Sequence, residues 1–347
     1  MKILSLSLNT FRNHKKRKFS FAQVTIFIGK NTSGKTSILE AITFLSHGKS
    51  FKAEKDFDVI SEGSDFSRIE GEIREEQDSK KLAVIVALLN ERASKKYLVN
   101  NVSRRQNDFI SNLLTVLFTP EDLEIINDSP SVRRGYLNSV LVQSEREYRL
   151  ALNIYEKALK RRNRMLYLTR EGKKFFTSDE FEYWDNLVIE NGQTVTRFRQ
   201  EFIDYVNNSK KEIFELSIRY DKSTISRARL DQYKEAEMAS AKTLVGPQRD
   251  EIIFENIDGK SIKEFGSRGE QRLTVFQTKL IETLFIIEKT NQTPVLLLDD
   301  IFSELDEGNI VKVLDLLPHH QVIITTTHEE FIPKRFENKE GVSIIEL

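Results

Sequence analysis

Eight consecutive residues, Gly29, Lys30, Asn31, Thr32, Ser33, Gly34, Lys35 and Thr36, spell G-x-x-x-x-G-K-[ST] without departure. The run suits a phosphate. Its glycines let the backbone turn tightly enough for successive N–H groups to surround an anion. Lys35 is placed to reach the outer phosphate oxygens, and Thr36 offers a hydroxyl to magnesium. Ser37, next in sequence, belongs to the helix start whose positive end faces the same anion. All nine residues are expected nucleotide contacts.

A second group lies far downstream. Four apolar residues, Val295 to Leu298, end in Asp299 and Asp300. A buried strand that delivers acid at its carboxyl end suits metal and water chemistry. Asp299 is expected to hold magnesium. Asp300 is expected to orient or deprotonate an attacking water. Taken alone, a glycine-containing β–α turn and a solvated strand end would explain these two segments. Taken together they imply hydrolysis of a nucleotide, with ATP and Mg2+ as cofactors and Lys35 and Asp300 as catalytic groups.

Strands and helices must hold these side chains. Leu4, Leu6 and Leu8 alternate with Ser5 and Ser7, the period of a half-buried strand with its leucines inward. Residues 18–21 alternate again after a basic tip at 14–18 and are expected to pair back as a hairpin. Residues 24–28 are apolar, rich in β-branched types and stop at Gly29, as a buried central strand feeding the loop would. Over 37–45, Ile38, Leu39, Ile42 and Leu45 share a helical face. Further strands are expected at 68–74, 82–88 and 322–326, with a turn at Asn100-Asn101.

From about Leu113 the pattern becomes helical, with 131–170 and 178–216 almost free of glycine. Phe181, Trp184, Val188, Asn191, Val195, Phe198, Phe202 and Tyr205 form a heptad-like seam, short enough for packed helices rather than a rod. The chain reads as an α/β head with a mixed sheet, residues 1–112 and 241–347. A mainly helical subdomain is inserted at 113–240.

The chain has no cysteine, which excludes disulfides, thiolate metal sites and cysteine nucleophiles. No leader-like apolar segment follows Met1, and no run approaches the roughly 18 apolar residues of a membrane span. A cytoplasmic protein without a membrane partner is expected. Formal net charge is +0, so any nucleic-acid surface must be a local patch. Residues 157–174 supply one: Lys157, Lys160, Arg161, Arg162, Arg164, Arg170, Lys173 and Lys174 stand against a single acid, Glu171. Lys160, Arg161, Arg162 and Arg164 are the expected contacts to DNA phosphates, with Tyr167 offered for stacking. A solvated helix face is the alternative, and the tip at 14–18 is a second candidate.

Ser267-Arg268-Gly269-Glu270 opens a helix-like run upstream of the acidic strand. A serine and free N–H groups at a helix start either cap the helix or form an anion site. The segment resembles the signature of ABC-type ATPases. Ser303-Glu304-Leu305-Asp306 resembles their D-loop, and His328 falls where they carry a switch histidine with a catalytic role. This resemblance implies a composite site. ATP held by residues 29–37 of one copy would be covered by Ser267 and Gly269 of another, giving an ATP-dependent homodimer.

Within that class the sequence resembles the RecF family. The resemblance is carried by Phe11-Arg12-Asn13, Leu39-Glu40-Ala41-Ile42, Gly48-Lys49-Ser50-Phe51-Lys52, residues 118–123 (FTPEDL), Arg133-Arg134, and Gly246-Pro247-Gln248-Arg249-Asp250. Gln248 stands where the family carries histidine, and Arg268 and Glu270 depart from the usual signature. The resemblance implies binding to ssDNA/dsDNA junctions, help to RecO and RecR in loading RecA, and slow ATP hydrolysis stimulated by DNA. It also places Arg12 near the nucleotide. A transporter nucleotide-binding subunit, or another ABC-type ATPase, is the competing reading. The first would lack the 11–13 and 246–250 segments.

Overall fold

The computed structural model describes residues 1–75, 78–89, 92–300, 320–327 and 340–347. In chain order its elements begin with β1 (Lys2–Phe11), β2 (His14–Ser20), β3 (Val24–Ile28), α1 (Lys35–His47), β4 (Phe66–Glu75), β5 (Asp78–Leu89), β6 (Arg92–Val99), β7 (Val102–Arg104), α2 (Gln106–Phe109) and β8 (Thr115–Phe118). Then come α3 (Glu124–Asn127), α4 (Pro130–Ser144), α5 (Arg146–Arg170), α6 (Ser178–Asn208), β9 (Ser217–Asp221), α7 (Arg227–Gln232), α8 (Lys234–Ser240), β10 (Glu251–Glu255) and α9 (Ile262–Phe265). α10 (Arg268–Thr290), β11 (Val295–Asp299), β12 (Val322–Thr326) and β13 (Val342–Glu346) complete them.

The chain divides into two compact units, residues 1–122 with 276–347 and residues 123–275. The sequence reading sets the seams at 112/113 and 240/241. The first seam moves because β8, only four residues long, pairs in parallel with β11. The second moves because β10 pairs with β9 inside the helical unit.

The first unit holds two sheets with different pairing. One is antiparallel, in the order β2-β1-β4-β5-β6-β7, and the other parallel, in the order β13-β3-β12-β11-β8. The parallel strands are apolar almost throughout, and every residue of β11 and β12 is buried. That is the composition a strand needs when both faces are covered.

In β1 the pairing with β4 shifts between Ile3 and Ser5. Such an irregularity reverses the in–out alternation. Ile3 is therefore in the core with Leu6 and Leu8, whereas Leu4, expected inward, is only half-buried. The hairpin turn falls at Arg12-Asn13, so Lys15 to Lys18 lie exposed along the edge strand β2 rather than at a tip.

α1 lies against β1, β4 and β5 of one sheet and β8, β11 and β12 of the other. Ile38, Leu39, Ala41, Ile42, Phe44 and Leu45 are all 0% exposed, so the helix is covered on nearly every side, not along one stripe. Each large apolar side chain buried there is worth roughly 1.5–3 kcal/mol. That outweighs the desolvation of Glu40, which the same packing buries and which takes a guanidinium as its partner.

In the second unit α5 and α6 pack along their length. Thr177 starts α6 with a capping box to Glu180. The buried stripe of α6 runs through Val188, Gly192, Val195, Arg199, Phe202 and Val206, closer to 3.6 spacing than the expected seam. Gly192 is required there: a Cβ would lie 2.8 Å from Ile225 and 3.0 Å from the Tyr155 ring. Asp250, fully buried, accepts from Arg199 Nη1 at 2.7 Å, from the Ser223 N–H at 2.9 Å, and from the Tyr220 hydroxyl. The 246–250 segment thus ties α6, β9 and β10 together. No helix of the described residues is long and apolar enough to cross a membrane.

Candidate nucleotide site

β3 ends at Ile28, residues 29–34 turn back, and α1 begins at Lys35. Thr32 (φ 76°) and Gly34 (φ 101°) supply the left-handed backbone of that turn. Gly34 admits no side chain, since a Cβ would meet His14 Nε2 at 2.6 Å and Asn13 Nδ2 at 2.8 Å. These two neighbours hold the loop from outside. Asn13 Nδ2 donates to Thr32 O at 3.2 Å, and His14 Nε2 donates to Gly34 O at 3.1 Å. Arg12, itself left-handed at φ 52°, forks onto Glu40 at 2.9 and 2.6 Å and donates to Asp58 O at 2.8 Å.

Lys35 Nζ donates to Gly29 O at 2.5 Å and Lys30 O at 2.9 Å, bridging the mouth of the loop. Burial pulls its pKa down, against the opposing pull of Asp300 and Asp299. Thr36 Oγ1 donates to Asp299 Oδ1 at 3.1 Å, and Thr325 Oγ1 donates to the same oxygen at 2.5 Å. Burial at the end of β11 raises the Asp299 pKa, while hydrogen bonds from Thr325 and Thr36 lower it. Asp300 turns away in the left-handed region (φ 46°), its N–H donating to Thr325 O and Oγ1, each at 3.1 Å. Three non-glycine residues in strained backbone, at roughly 1–3 kcal/mol each, thus surround one place.

That place is a cavity of ≈ 540 Å³, inside the range of about 300–1,000 Å³ common for ligand sites. Its wall brings together Arg12, Asn31, Thr32, Gly34, Lys35, Thr36, Ser37, Asp299 and Asp300 of the sequence-selected residues. Gly29, Lys30 and Ser33 are not on the wall; the carbonyls of Gly29 and Lys30 hold Lys35. Lys52 and Glu121 also line it. Sequence reasoning gives neither a role, although both lie in segments that carry the family resemblance.

The residues fit a magnesium–nucleotide pair. Ser33 Oγ is buried beside Gly29, off the cavity wall, and has no hydrogen-bond partner among the described residues. The Lys35 ammonium sits on the loop's own carbonyls at the place an anion would take. One hydroxyl and one carboxylate, both hard oxygen donors, are the set Mg2+ uses beside phosphate. Thr36 and Asp299 would hold the metal, which when bound neutralises charge on the outer phosphates.

Ser267 and Gly269 belong to the second unit and are not on this wall. Ser267 caps α10: Glu270 N–H donates to Ser267 Oγ at 3.3 Å, and Ser267 N–H donates to Glu270 Oε2 at 2.7 Å. The Glu270 carboxyl is held below its usual range by these bonds. At Gly269 a Cβ would meet only Ser267 Oγ, at 3.9 Å, so the surface there is open. Residues 303–306 and His328 lie outside the described residues.

The basic segment is the last half of α5. Lys160, Arg161 and Arg164 are exposed on it. Arg162 is not, and its expected role as a DNA contact is corrected. It is 4% exposed, and it donates to Asp185 Oδ1 at 2.6 Å and Thr243 Oγ1 at 2.9 Å, with Glu237 at 2.7 Å. One helical step turns a side chain by about 100°, enough here to carry Arg162 off the face that Lys160 and Arg161 share.

A phosphate-loop turn, an acidic strand beside it and an inserted helical unit define an ABC-type ATPase head. The family model described as RecF/RecN/SMC N terminal domain matches residues 2–345. A DNA replication and repair protein RecF from Agathobacter rectalis is 33% identical over 351 residues, 97% of this chain and 95% of its own. One from Halalkalibacterium halodurans is 33% identical over 360 residues, 96% and 94%. A solved structure of "the recombination mediator protein RecF-ATPrS in RecFOR pathway" has TM-score 0.88 and 28% identity, covering 100% of this chain and 96% of that one. An Smc head domain derived from Pyrococcus yayanosii, 14% identical with TM-score 0.51, shares the fold alone. The chain belongs to the RecF family.

Proposed function

We propose that this chain is a cytoplasmic ATP- and Mg2+-dependent DNA-repair protein of the RecFOR pathway, hydrolysing ATP slowly and faster on DNA. The observation that carries the reading is the Thr36–Asp299 hydrogen bond at 3.1 Å beside the Lys35 bridge. It joins the phosphate loop and the acidic strand into one metal-ready pair. The backbone of residues 29–37 cradles the phosphates and Lys35 moves from its carbonyls onto the outer ones. Arg12 lines the same cavity, and Asp300 takes the proton of the attacking water. Ser267 and Gly269 of a second copy complete the site, which makes the homodimer ATP-dependent. His328 joins that site from outside the described residues.

DNA at single-strand/double-strand junctions contacts Lys160, Arg161 and Arg164. RecO and RecR are the protein partners, and loading of RecA is the outcome. Support comes from family membership, from relatives matched over nearly their whole length, and from a structural relative described with ATPrS. ATP turnover and sedimentation with and without gapped DNA test the reading. Faster turnover on DNA and an ATP-dependent dimer are expected. A monomer whose turnover ignores DNA would overturn it.

A further inference from the structure

Lys157, Lys160, Arg161 and Arg164 recur along α5 at steps that keep them on one exposed face, and none has an ion pair with a described residue. The neighbouring cations differ. Arg162 is buried and paired, and Arg170 is held by Glu171 at 2.9 Å. The helix leads into a turn that gathers aromatic rings and more cations. Arg164, Arg170 and Lys173 stand 5.2, 5.6 and 5.4 Å from the centre of the Tyr167 ring. Lys174 lies 4.6 Å over Phe176. The Tyr167 and Phe176 rings therefore organise charge and are already covered. Phe175, between them, is 76% exposed and makes no ring or cation contact among the described residues.

A lone exposed phenylalanine needs no explanation by itself. A bare ring on the turn that continues a helix face of unpaired cations asks for a ligand with both negative charge and flat apolar faces. An unpaired nucleic-acid strand has both. A duplex offers phosphates but keeps its base faces stacked. An anionic membrane would want an apolar stripe, and α5 has spent its stripe, through Tyr155, Ala158, Met165 and Leu166, on the interior.

We propose that the last half of α5 and the turn to α6 bind a single strand of nucleic acid, with phosphates on Lys157, Lys160, Arg161 and Arg164 and a base stacked on Phe175. The inference rests on the DNA-binding reading above and adds Phe175 as the side chain by which this site tells an unpaired strand from a duplex.

Fluorescence anisotropy with labelled oligo(dT) and a labelled blunt duplex hairpin, each at two salt concentrations, tests it. Phe175→Ala is expected to weaken oligo(dT) binding roughly 5- to 150-fold, the range that base–aromatic stacking gives. Duplex binding stays unchanged, and Phe175→Trp keeps oligo(dT). Lys160→Glu, Arg161→Glu and Arg164→Glu together are expected to flatten the log–log salt slope for oligo(dT) by about 2. Phe175→Ala binding oligo(dT) like the parent, or losing duplex equally, overturns the site while leaving the DNA reading standing. Polyglutamate that displaces oligo(dT) equally from the parent and from Phe175→Ala would make the patch an acidic-peptide surface and overturn it too. Parent protein that binds neither probe, yet still binds nucleotide, overturns the DNA reading and the site with it.

Discussion

Thr36 Oγ1 reaches Asp299 Oδ1 across 3.1 Å, closing 263 residues of chain into one contact between the first turn of α1 and the end of β11. Both oxygens would face a magnesium ion. Replacing Thr36 by Val removes one ligand without disturbing the loop's N–H groups. We expect the Mg2+-dependent part of ATP affinity to fall by about tenfold, ~1.4 kcal/mol, with binding in EDTA unchanged and Thr36→Ser near the parent. Calorimetric titration with and without Mg2+ decides it. Equal loss in both conditions would assign Thr36 to packing.

Asp300 sits one residue beyond the metal carboxylate, turned by a left-handed backbone that its N–H contacts with Thr325 stabilise. Asp300→Asn keeps that geometry and removes the base. Turnover should drop by about 10²–10⁴ while ATP binding persists, and the ATP-bound dimer should accumulate in light scattering. Normal turnover by this variant would remove Asp300 from the chemistry.

Arg161 and Arg162 are adjacent in sequence and opposite in environment. Arg162→Ala leaves Glu237, 0% exposed, without its cation, while Asp185 keeps Arg227 at 2.9 Å. The expected loss is about 3–5 kcal/mol of stability. Arg161→Ala should change stability by no more than about 0.5 kcal/mol. Thermal melts of the two variants test this, and coincident curves would refute it.

His14 is 4% exposed and donates to Gly34 O, so burial disfavours its charged ring inside the folded loop. Burial lowers its pKa most, the Gly34 hydrogen bond pulls it part of the way back, and the Arg17 charge adds a smaller downward push. The unfolded chain takes up a proton near pH 6.5, where the folded chain still resists. Below that pH the unfolded state binds more protons, and stability falls. Melting temperatures taken between about pH 7.5 and about pH 5.5 should decline more steeply for the parent than for His14→Gln. Parallel declines would place the acid sensitivity elsewhere.

What could be read from sequence was what is local. Residues 29–37 announce themselves because each position in a phosphate loop is needed for backbone geometry. Val295–Asp300 does so because a fully buried strand must be apolar until the residue that leaves it. Pairing choices were not legible. β8 is four residues long and looks like the start of a helical region. β9 lies just beyond the stretch read as helical, among residues left unassigned. The shift at Leu4 depends on the β4 register, which no residue of β1 encodes. The inward turn of Arg162 needed Asp185, Glu237 and Thr243, three distant partners, before its charge made sense inside. The Arg12–Glu40 fork lay in two recognised segments, yet nothing in either names the other.

The neighbours of β3 have a consequence for how the protein is made. Its hydrogen-bonded partners are β12 and β13, which leave the ribosome long after it does. A nascent polypeptide therefore displays the glycine loop early, with no sheet to brace it and no acidic floor beneath. Non-local pairing of this kind is slow to form. Products that stop before β11 and β12 carry the motif but not the pocket, which leaves nucleotide capture to chains translated past them.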